Sequence, residues 1–286
     1  MKAVRRLHAL LAEDAIILAP GCHDALGAYF IQRAGFKTAY MTGYGAACSL
    51  LGRPDLGELT MTEIVDHAGR IADAIEIPLI CDADTGYGGP LNVQRTVREF
   101  EKAGVAAIHI EDQVEPKRCA AMKGIAVTDL DTAVKKIRAA VSAKEDPDFI
   151  IIARTDSRPL LGLDHAVERA RAFAEAGADM VYVEMLRSKE EVAFVAESVK
   201  EAPLLFDSFD HPEVPALSAS ALEEMGYKIV TYPFTSTLAY AKMLDQIYRG
   251  ILEKKGSQHF ASRRMDLHEF EKIMGLEEIW RKVDGI

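Results

Sequence analysis

The 286-residue sequence predicts an α/β fold, a (β/α)8 barrel of the TIM type, and three observations carry that expectation. Eight short apolar runs are spaced along the chain, each of the length of a buried strand. Helical patterns lie between consecutive runs, as parallel strands joined by crossover helices require. Four of those patterns end alike, in a glycine with an apolar run soon after: Arg33-Ala34-Gly35 before Ala39-Tyr40-Met41, Lys102-Ala103-Gly104 before Ile108-His109-Ile110, Glu175-Ala176-Gly177 before Met180-Val181-Tyr182-Val183, and Glu224-Met225-Gly226 before Ile229-Val230. Glycine just past the last turn is the expected C-terminal cap of a helix. The alternative, an open doubly wound sheet, needs a phosphate fingerprint or a strand-order switch, and neither is readable.

Taken in order, the strands fall near 16–19, 38–42, 78–82, 106–111, 149–154, 180–184, 203–206 and 228–232. Helical patterns cover roughly 24–34, 61–75, 92–103, 130–143, 164–176, 189–200 and 217–225, and a further one, about 235–254, follows the eighth strand. Two long loops interrupt the rhythm, 43–60 after the second strand and 112–128 after the fourth. Loops of that length in a compact domain are usually lids or binding loops. Residues 1–286 read as one barrel domain, with a helical tail over about 255–286 and nothing that looks like a second domain.

The formal net charge of −10 disfavours a general nucleic-acid or anionic-membrane surface. No run of about twenty apolar residues offers a membrane span. Met1 to Asp14 is a charged amphipathic stretch, unlike a signal peptide. Cys22, Cys48, Cys81 and Cys119 are scattered, with neither metal-finger spacing nor a disulfide framework. Reduced thiols in a cytoplasmic protein are expected, a matrix-like compartment being the alternative.

Barrel enzymes carry their chemistry at the C-terminal ends of the strands. The polar residues there are Thr42, Asp82 with Asp84, Glu111 with Asp112, Arg154 with Asp156, Glu184, Asp207 and Thr231. Asp82 and Asp84 follow the apolar run Pro78-Leu79-Ile80-Cys81, and both project from one side if the strand persists. Like charges held that close need a cation between them, and a hard divalent ion such as Mg²⁺, or Mn²⁺, meets that need. Glu111 would supply a third carboxylate and Asp55 a fourth; the alternative is a strand-end turn with solvated acids. Lys117-Arg118-Cys119 reads as a thiol in a basic setting, where neighbouring cations lower its pKa from about 8.5 and let it exchange a proton near neutral pH. A solvated basic loop with an incidental cysteine is the other reading. Arg154 offers a planar fork to a carboxylate, or pairs with Asp156 or another strand-end acid. Glu184 reads as a partner of Arg154 or a supporting acid, and Tyr40 as a rim or core residue. His23, His109 and His211 share no ligand spacing and read as structural.

Together these residues resemble the isocitrate lyase / phosphoenolpyruvate mutase superfamily, from about Pro20 to Arg249. Thr42-Gly43-Tyr44-Gly45, Arg53-Pro54-Asp55-Leu56-Gly57, Asp82-Ala83-Asp84-Thr85-Gly86-Tyr87-Gly88, His109-Ile110-Glu111-Asp112-Gln113, Pro116-Lys117-Arg118-Cys119 and Ala153-Arg154-Thr155-Asp156 follow the family's order. The resemblance is nearest to the 2-methylisocitrate and 2,3-dimethylmalate lyases and their oxaloacetate-cleaving relatives. It implies a Mg²⁺-dependent lyase that opens a carbon–carbon bond in a 2-hydroxy di- or tricarboxylate, giving a 2-oxo acid such as pyruvate and a second acid. It also implies a homotetramer that exchanges C-terminal helices. Residue by residue, it makes Thr42, Gly43 and Tyr44 donors to a substrate carboxylate. Asp82 and Asp84 hold the ion directly or through water, with Asp55 and Glu111 in its water shell. Arg154 and Glu184 line the substrate, Cys119 beside Lys117 and Arg118 is the proton donor on a mobile loop, and Tyr40 is an active-site tyrosine.

Two departures stand out. Where such lyases carry Gly-His after the cysteine, this chain has Ala120-Ala121, and near their asparagine after the seventh strand it has Asp207. An acid there repels a substrate carboxylate unless it is protonated or paired. Oxaloacetate hydrolysis or decarboxylation is the alternative activity, and a dicarboxylate-binding member without turnover is the alternative outside catalysis.

Overall fold

In the computed structural model of the protein, which describes residues 2–285, eight parallel strands close into a barrel in sequence order. They are β1 (Ile17–Cys22), β2 (Ala39–Met41), β3 (Leu79–Asp82), β4 (Ala107–Glu111), β5 (Ile150–Thr155), β6 (Met180–Val183), β7 (Leu204–Asp207) and β8 (Tyr227–Tyr232), and β8 pairs back onto β1. The connecting helices are α2 (Ala25–Arg33), α4 (Met61–Asp73), α5 (Pro90–Lys102), α6 (Leu130–Ala143), α8 (Leu163–Glu175), α9 (Lys189–Ser198) and α10 (Ala219–Met225). Three further helices lie among them: α1 (Ala3–Leu11), α3 (Gly43–Leu51) and the single turn α7 (Arg158–Leu161). Gly35, Gly104, Gly177 and Gly226 all have φ between 82° and 99°, the left-handed conformation expected of C-terminal caps.

Side chains alternate along each strand, so one set faces the helices and the other fills the barrel. The outward set, with Ile108, Ile151, Val181 and Phe206, packs into the large core shared with the helices. The inward set, with Ile17, Ile80, Ile150, Ile152, Met180, Leu205 and Ile229, forms a separate cluster. Leu7 and Leu10 join that inner cluster, so the amphipathic N-terminal stretch is the helix α1 that closes the barrel floor.

The segment 43–60 is not one loop. Its first half is α3, capped by Thr42, whose hydroxyl accepts from the Gly45 N–H at 3.3 Å. Gly43 and Gly45 are there for space. A methyl group on Gly43 would lie 2.6 Å from Asp82 Oδ2, and one on Gly45 2.6 Å from the Thr42 methyl. Close packing outweighs the low helix propensity of glycine here. The loop 112–128 is tied at its base by a short antiparallel bridge between Gln113 and Val127.

The chain divides into two compact units, the barrel up to Thr237 and a second unit from Leu238. α11 (Thr235–Lys254) runs from the first into the second, which also holds α12 (Leu267–Ile273) and α13 (Leu276–Asp284). The second unit leaves Leu252, Leu267, Tyr248 and Trp280 more than half exposed.

Candidate active site

The period of two that fills the barrel also builds its rim. Going up the strands, Ile80 leads to Asp82, Ala107 to His109 and Glu111, Ile152 to Arg154, Met180 to Tyr182 and Glu184, and Leu205 to Asp207. The interior therefore passes from apolar floor to charged mouth. Strand register sets Asp82 beside His109 and Glu111 beside Arg154. Of the predicted site residues, all but Gly43 and Asp84 line one cavity, to which Phe209, Pro233 and Phe234 add an apolar wall. Its free space is about 30 Å³, room for little more than a water molecule, so the loops stand closed over the floor.

Asp82 and Asp84 do not share a side by strand alternation. β3 stops at Asp82, and Asp84 has φ of 48°, turning the chain so that its N–H donates to Asp82 Oδ1 at 2.9 Å. Asp84 then meets Lys117 Nζ at 2.5 Å, and the same ammonium pairs with Asp55. Burial raises the Asp84 carboxyl to about 7, with Lys117 opposing and Asp82 and Asp55 reinforcing the rise. For Asp82 burial also pushes upward, but His109, Lys117 and Arg154 outweigh it and the carboxyl is lowered to about 2. Glu111 is buried, is raised well above the carboxylate range by that burial, and keeps Oε1 without a hydrogen-bond partner among the described residues.

These acids fit a hard divalent cation. The donor set is all carboxylate oxygen, one buried oxygen is unsatisfied, and among the described residues the cation between Asp55 and Asp84 is a lysine. Among the described residues no three acids converge as a complete ligand cage. Mg²⁺ tolerates that, because it keeps several of its own waters.

Arg154 is the hub of the opposite side. Its guanidinium contacts Asp156 Oδ1 at 2.9 Å, Glu184 Oε2 at 3.3 Å and Glu111 Oε2 at 3.5 Å, and lies 5.3 Å from the Tyr182 ring centroid. Arg154 thus pairs with Asp156, as one of its two readings had it, and lines the cavity. Glu184 takes the Tyr182 hydroxyl and the Met185 N–H.

Two cysteine-loop expectations are corrected. Arg118 does not attend the thiol; it is exposed and donates to the Lys123 carbonyl at 3.0 Å. Lys117 is spent on Asp55 and Asp84. Burial consequently dominates, and the Cys119 thiol is pushed up to about 12. Cys119 is a protonated thiol at neutral pH, able to give a proton and not to take one.

His109, read as structural, is buried against two of the predicted site residues, Tyr40 and Asp82. Its Nε2 lies 2.7 Å from Tyr40 Oη and its Nδ1 3.5 Å from Asp82 Oδ1. Burial lowers it to about 4, so the ring is neutral and fits between a phenol and a carboxylate. Tyr40 is itself buried and raised, chiefly by that burial, so it is a phenol and not a phenolate. The signal for His109 and Tyr182 was their place two residues below Glu111 and Glu184 on the inward face.

The chain matches the Phosphoenolpyruvate phosphomutase family over residues 7–252. It belongs to that family. Among its relatives, the 2,3-dimethylmalate lyase of Eubacterium barkeri is 41% identical over 279 residues, covering 98% of this chain and 96% of that protein. The 2-methylisocitrate lyase of Aeropyrum pernix is 40% identical over 272 residues, covering 95% and 87%. The structure of oxaloacetate acetylhydrolase in complex with the inhibitor 3,3-difluorooxalacetate matches with a TM-score of 0.93 at 35% identity, covering 99% of this chain and 97% of the other. Phosphonopyruvate hydrolase complexed with oxalate and Mg²⁺ matches with a TM-score of 0.89 at 27% identity, covering 100% and 99%.

Within this phosphomutase-family barrel the two departures have definite surroundings. Ala120 is buried and lines the cavity. Asp207 accepts a hydrogen bond from the Thr231 hydroxyl, and burial beside Glu184 raises its carboxyl to about 8. The feared repulsion is met by protonation: at neutral pH Asp207 is a carboxylic acid.

Proposed function

We propose that this family member is a Mg²⁺-dependent carbon–carbon lyase acting on a 2-hydroxy di- or tricarboxylate of the 2,3-dimethylmalate or 2-methylisocitrate kind, releasing a 2-oxo acid such as pyruvate and a second carboxylic acid. One observation carries the reading. Carboxylates from β3, β4 and the 52–60 loop stand on one rim, with an unsatisfied Glu111 oxygen, facing Arg154 and a protonated thiol. The relatives' names as lyases support the reaction class, and the Mg²⁺ and oxalate of the phosphonopyruvate hydrolase structure support the ion.

Asp82 and Asp84, with Glu111 and Asp55 through water, would hold Mg²⁺ or Mn²⁺, a Lewis acid for the oxygens of the substrate. The N-terminus of α3 faces a carboxylate with the N–H groups of Gly43 and Tyr44, since the first N–H groups of a helix lack intrahelical partners. The Arg154 fork takes another carboxylate oxygen. When the bond parts, the 2-hydroxyl passes its proton to an ionised carboxylate of the rim and becomes the 2-oxo group. The electron pair of the broken bond passes to the carbon beside the second carboxylate. Cys119 delivers a proton to that carbon. The closed loops keep water from competing.

Hydrolysis of oxaloacetate is the second reading, favoured by the likeness to oxaloacetate acetylhydrolase. A panel of 2-hydroxy acids and oxaloacetate with Mg²⁺ separates the two: pyruvate release from a 2-hydroxy acid supports the lyase, and oxalate plus acetate from oxaloacetate alone replaces it with the hydrolase. Ligand-induced melting shifts without any product would instead leave a binding protein. The exposed apolar residues of the second unit support a homotetramer with exchanged C-terminal helices, which sedimentation tests. The unpaired cysteines support a cytoplasmic setting. No helix among the described residues is long and apolar enough to cross a membrane.

A further inference from the structure

The loop that carries Cys119 is held from three directions. Lys117 pairs with Asp55 and Asp84. The Cys119 N–H donates to the Asp55 carbonyl at 3.3 Å. The third hold comes from beneath, from Gln113, which is buried at 1% exposure. Its amide grips the peptide groups of Arg118, the residue before the cysteine. Gln113 Nε2 donates to the Arg118 carbonyl at 2.8 Å, and Gln113 Oε1 accepts the Arg118 N–H at 3.1 Å. The second hydrogen of Nε2 goes to Asp156 Oδ2 at 2.8 Å. The other oxygen of that carboxylate, Oδ1, holds Arg154 through Nε at 3.0 Å and Nη2 at 2.9 Å.

Gln113 itself cannot drift. Its backbone sits in the bridge with Val127, flanked by the Val114 N–H bond to Ala126 and the Thr128 N–H bond to Asp112. Asp156 is equally fixed, since its N–H donates to Asp112 Oδ1 at 2.9 Å. The first two holds involve Asp55 or Asp84, acids assigned above to the divalent ion. The Gln113 hold uses none of those acids, so it persists when their partners change.

We propose that Gln113 is the positioning residue that keeps Cys119 over the cavity, by clamping the Arg118 peptide and anchoring it to the carboxylate that orients Arg154. The thiol and the guanidinium are thereby set from one shared support, Asp156. Each reacting group then keeps its distance from the other, which is what a proton delivered to a carbanion beside a bound carboxylate demands. The catalytic consequence rests on the lyase reading; the placement of Cys119 does not.

The test reads the thiol directly. Iodoacetamide labelling of Cys119 in the intact protein with Mg²⁺ is followed by peptide mass spectrometry, with Cys48 as internal control. Gln113→Leu keeps the bulk and removes all three bonds. Labelling of Cys119 should rise at least ~10-fold, with Cys48 changed less than ~3-fold, because a freed loop exposes the thiol to the reagent. A folded Gln113→Leu protein whose Cys119 labels at the wild-type rate overturns the proposal. Asp156→Asn gives a second arm should Gln113→Leu not fold. It turns an N–H toward the Gln113 amide, which must flip and then meets Arg118 donor to donor. Cys119 labelling should rise there too, and no rise overturns the proposal. Turnover of 2,3-dimethylmalate is measured separately: its absence in the wild type counts against the lyase reading and leaves the labelling result standing.

Discussion

Lys117 Nζ lies 2.5 Å from Asp84 Oδ1, and the pair is buried at the barrel mouth with Asp55 on the other side of the ammonium. The lysine neutralises acids that would otherwise face one another. Removing one partner of a buried pair typically costs about 3–5 kcal/mol, because the remaining charge is left uncompensated. Lys117→Ala should therefore melt well below wild type. Added Mg²⁺ should raise its melting temperature more than it raises that of wild type, by supplying the missing positive charge. Equal Mg²⁺ shifts in scanning fluorimetry would separate this lysine from the ion's site.

Chelation should silence the protein. Dialysis against EDTA should reduce pyruvate release from the cleaved substrate at least ~100-fold, and Mg²⁺ or Mn²⁺ should restore it. Asp82→Asn, which removes the acid lowered to about 2, should stay inactive at the same metal concentration. Full activity in EDTA would remove the ion from the mechanism.

Cys119→Ser should lose at least ~100-fold in kcat, the usual range for a general acid group. Burial pushes the thiol up to about 12, so the wild-type pH profile should show no limb from thiol ionisation below about pH 10. A limb near the free-cysteine value that disappears in Cys119→Ser would show an exposed thiol instead.

Asp207 should produce an alkaline limb. Its carboxyl is raised to about 8 by burial and by Glu184, and the Thr231 hydroxyl and Arg154 only partly offset this. The folded protein then binds one more proton than the unfolded chain between about pH 4 and 8, and stability falls as pH rises across that window. Above it an ionised Asp207 also repels a substrate carboxylate. Asp207→Asn should flatten kcat/KM between pH 7 and 9 and raise the melting temperature there. An unchanged alkaline limb would assign it to another group.

Gly43→Ala tests the crowding beneath α3. The added methyl would lie 2.6 Å from Asp82 Oδ2, so the carboxylate must move. Mg²⁺ affinity, read by isothermal titration, should fall at least ~10-fold, in the range seen when support around a metal ligand is disturbed. Unchanged affinity would mean that Asp82 can rotate away without leaving the ion.

The barrel was legible because its signals are local. Strand-length apolar runs, helical periodicity and the left-handed glycines 35, 104, 177 and 226 each act within a few residues. The rim acids were legible because the ends of parallel strands must converge. α3 was not, since Gly43 and Gly45 argue against a helix until Asp82 and Thr42 are seen packed against them. His109 was not, because its partners Tyr40 and Asp82 are distant in sequence.

By itself the sequence determined the order of strands and helices, the closure of the sheet and which residues reach the barrel mouth, because periodicity and chain connectivity decide those. The tertiary structure alone decided the state of each group there. Lys117 and Cys119 lie two residues apart in sequence, yet one ammonium turns to Asp55 and Asp84 while the thiol is buried in its protonated form. Charge in a folded protein depends on burial and on what lies within a few ångströms, and adjacency along the chain fixes neither.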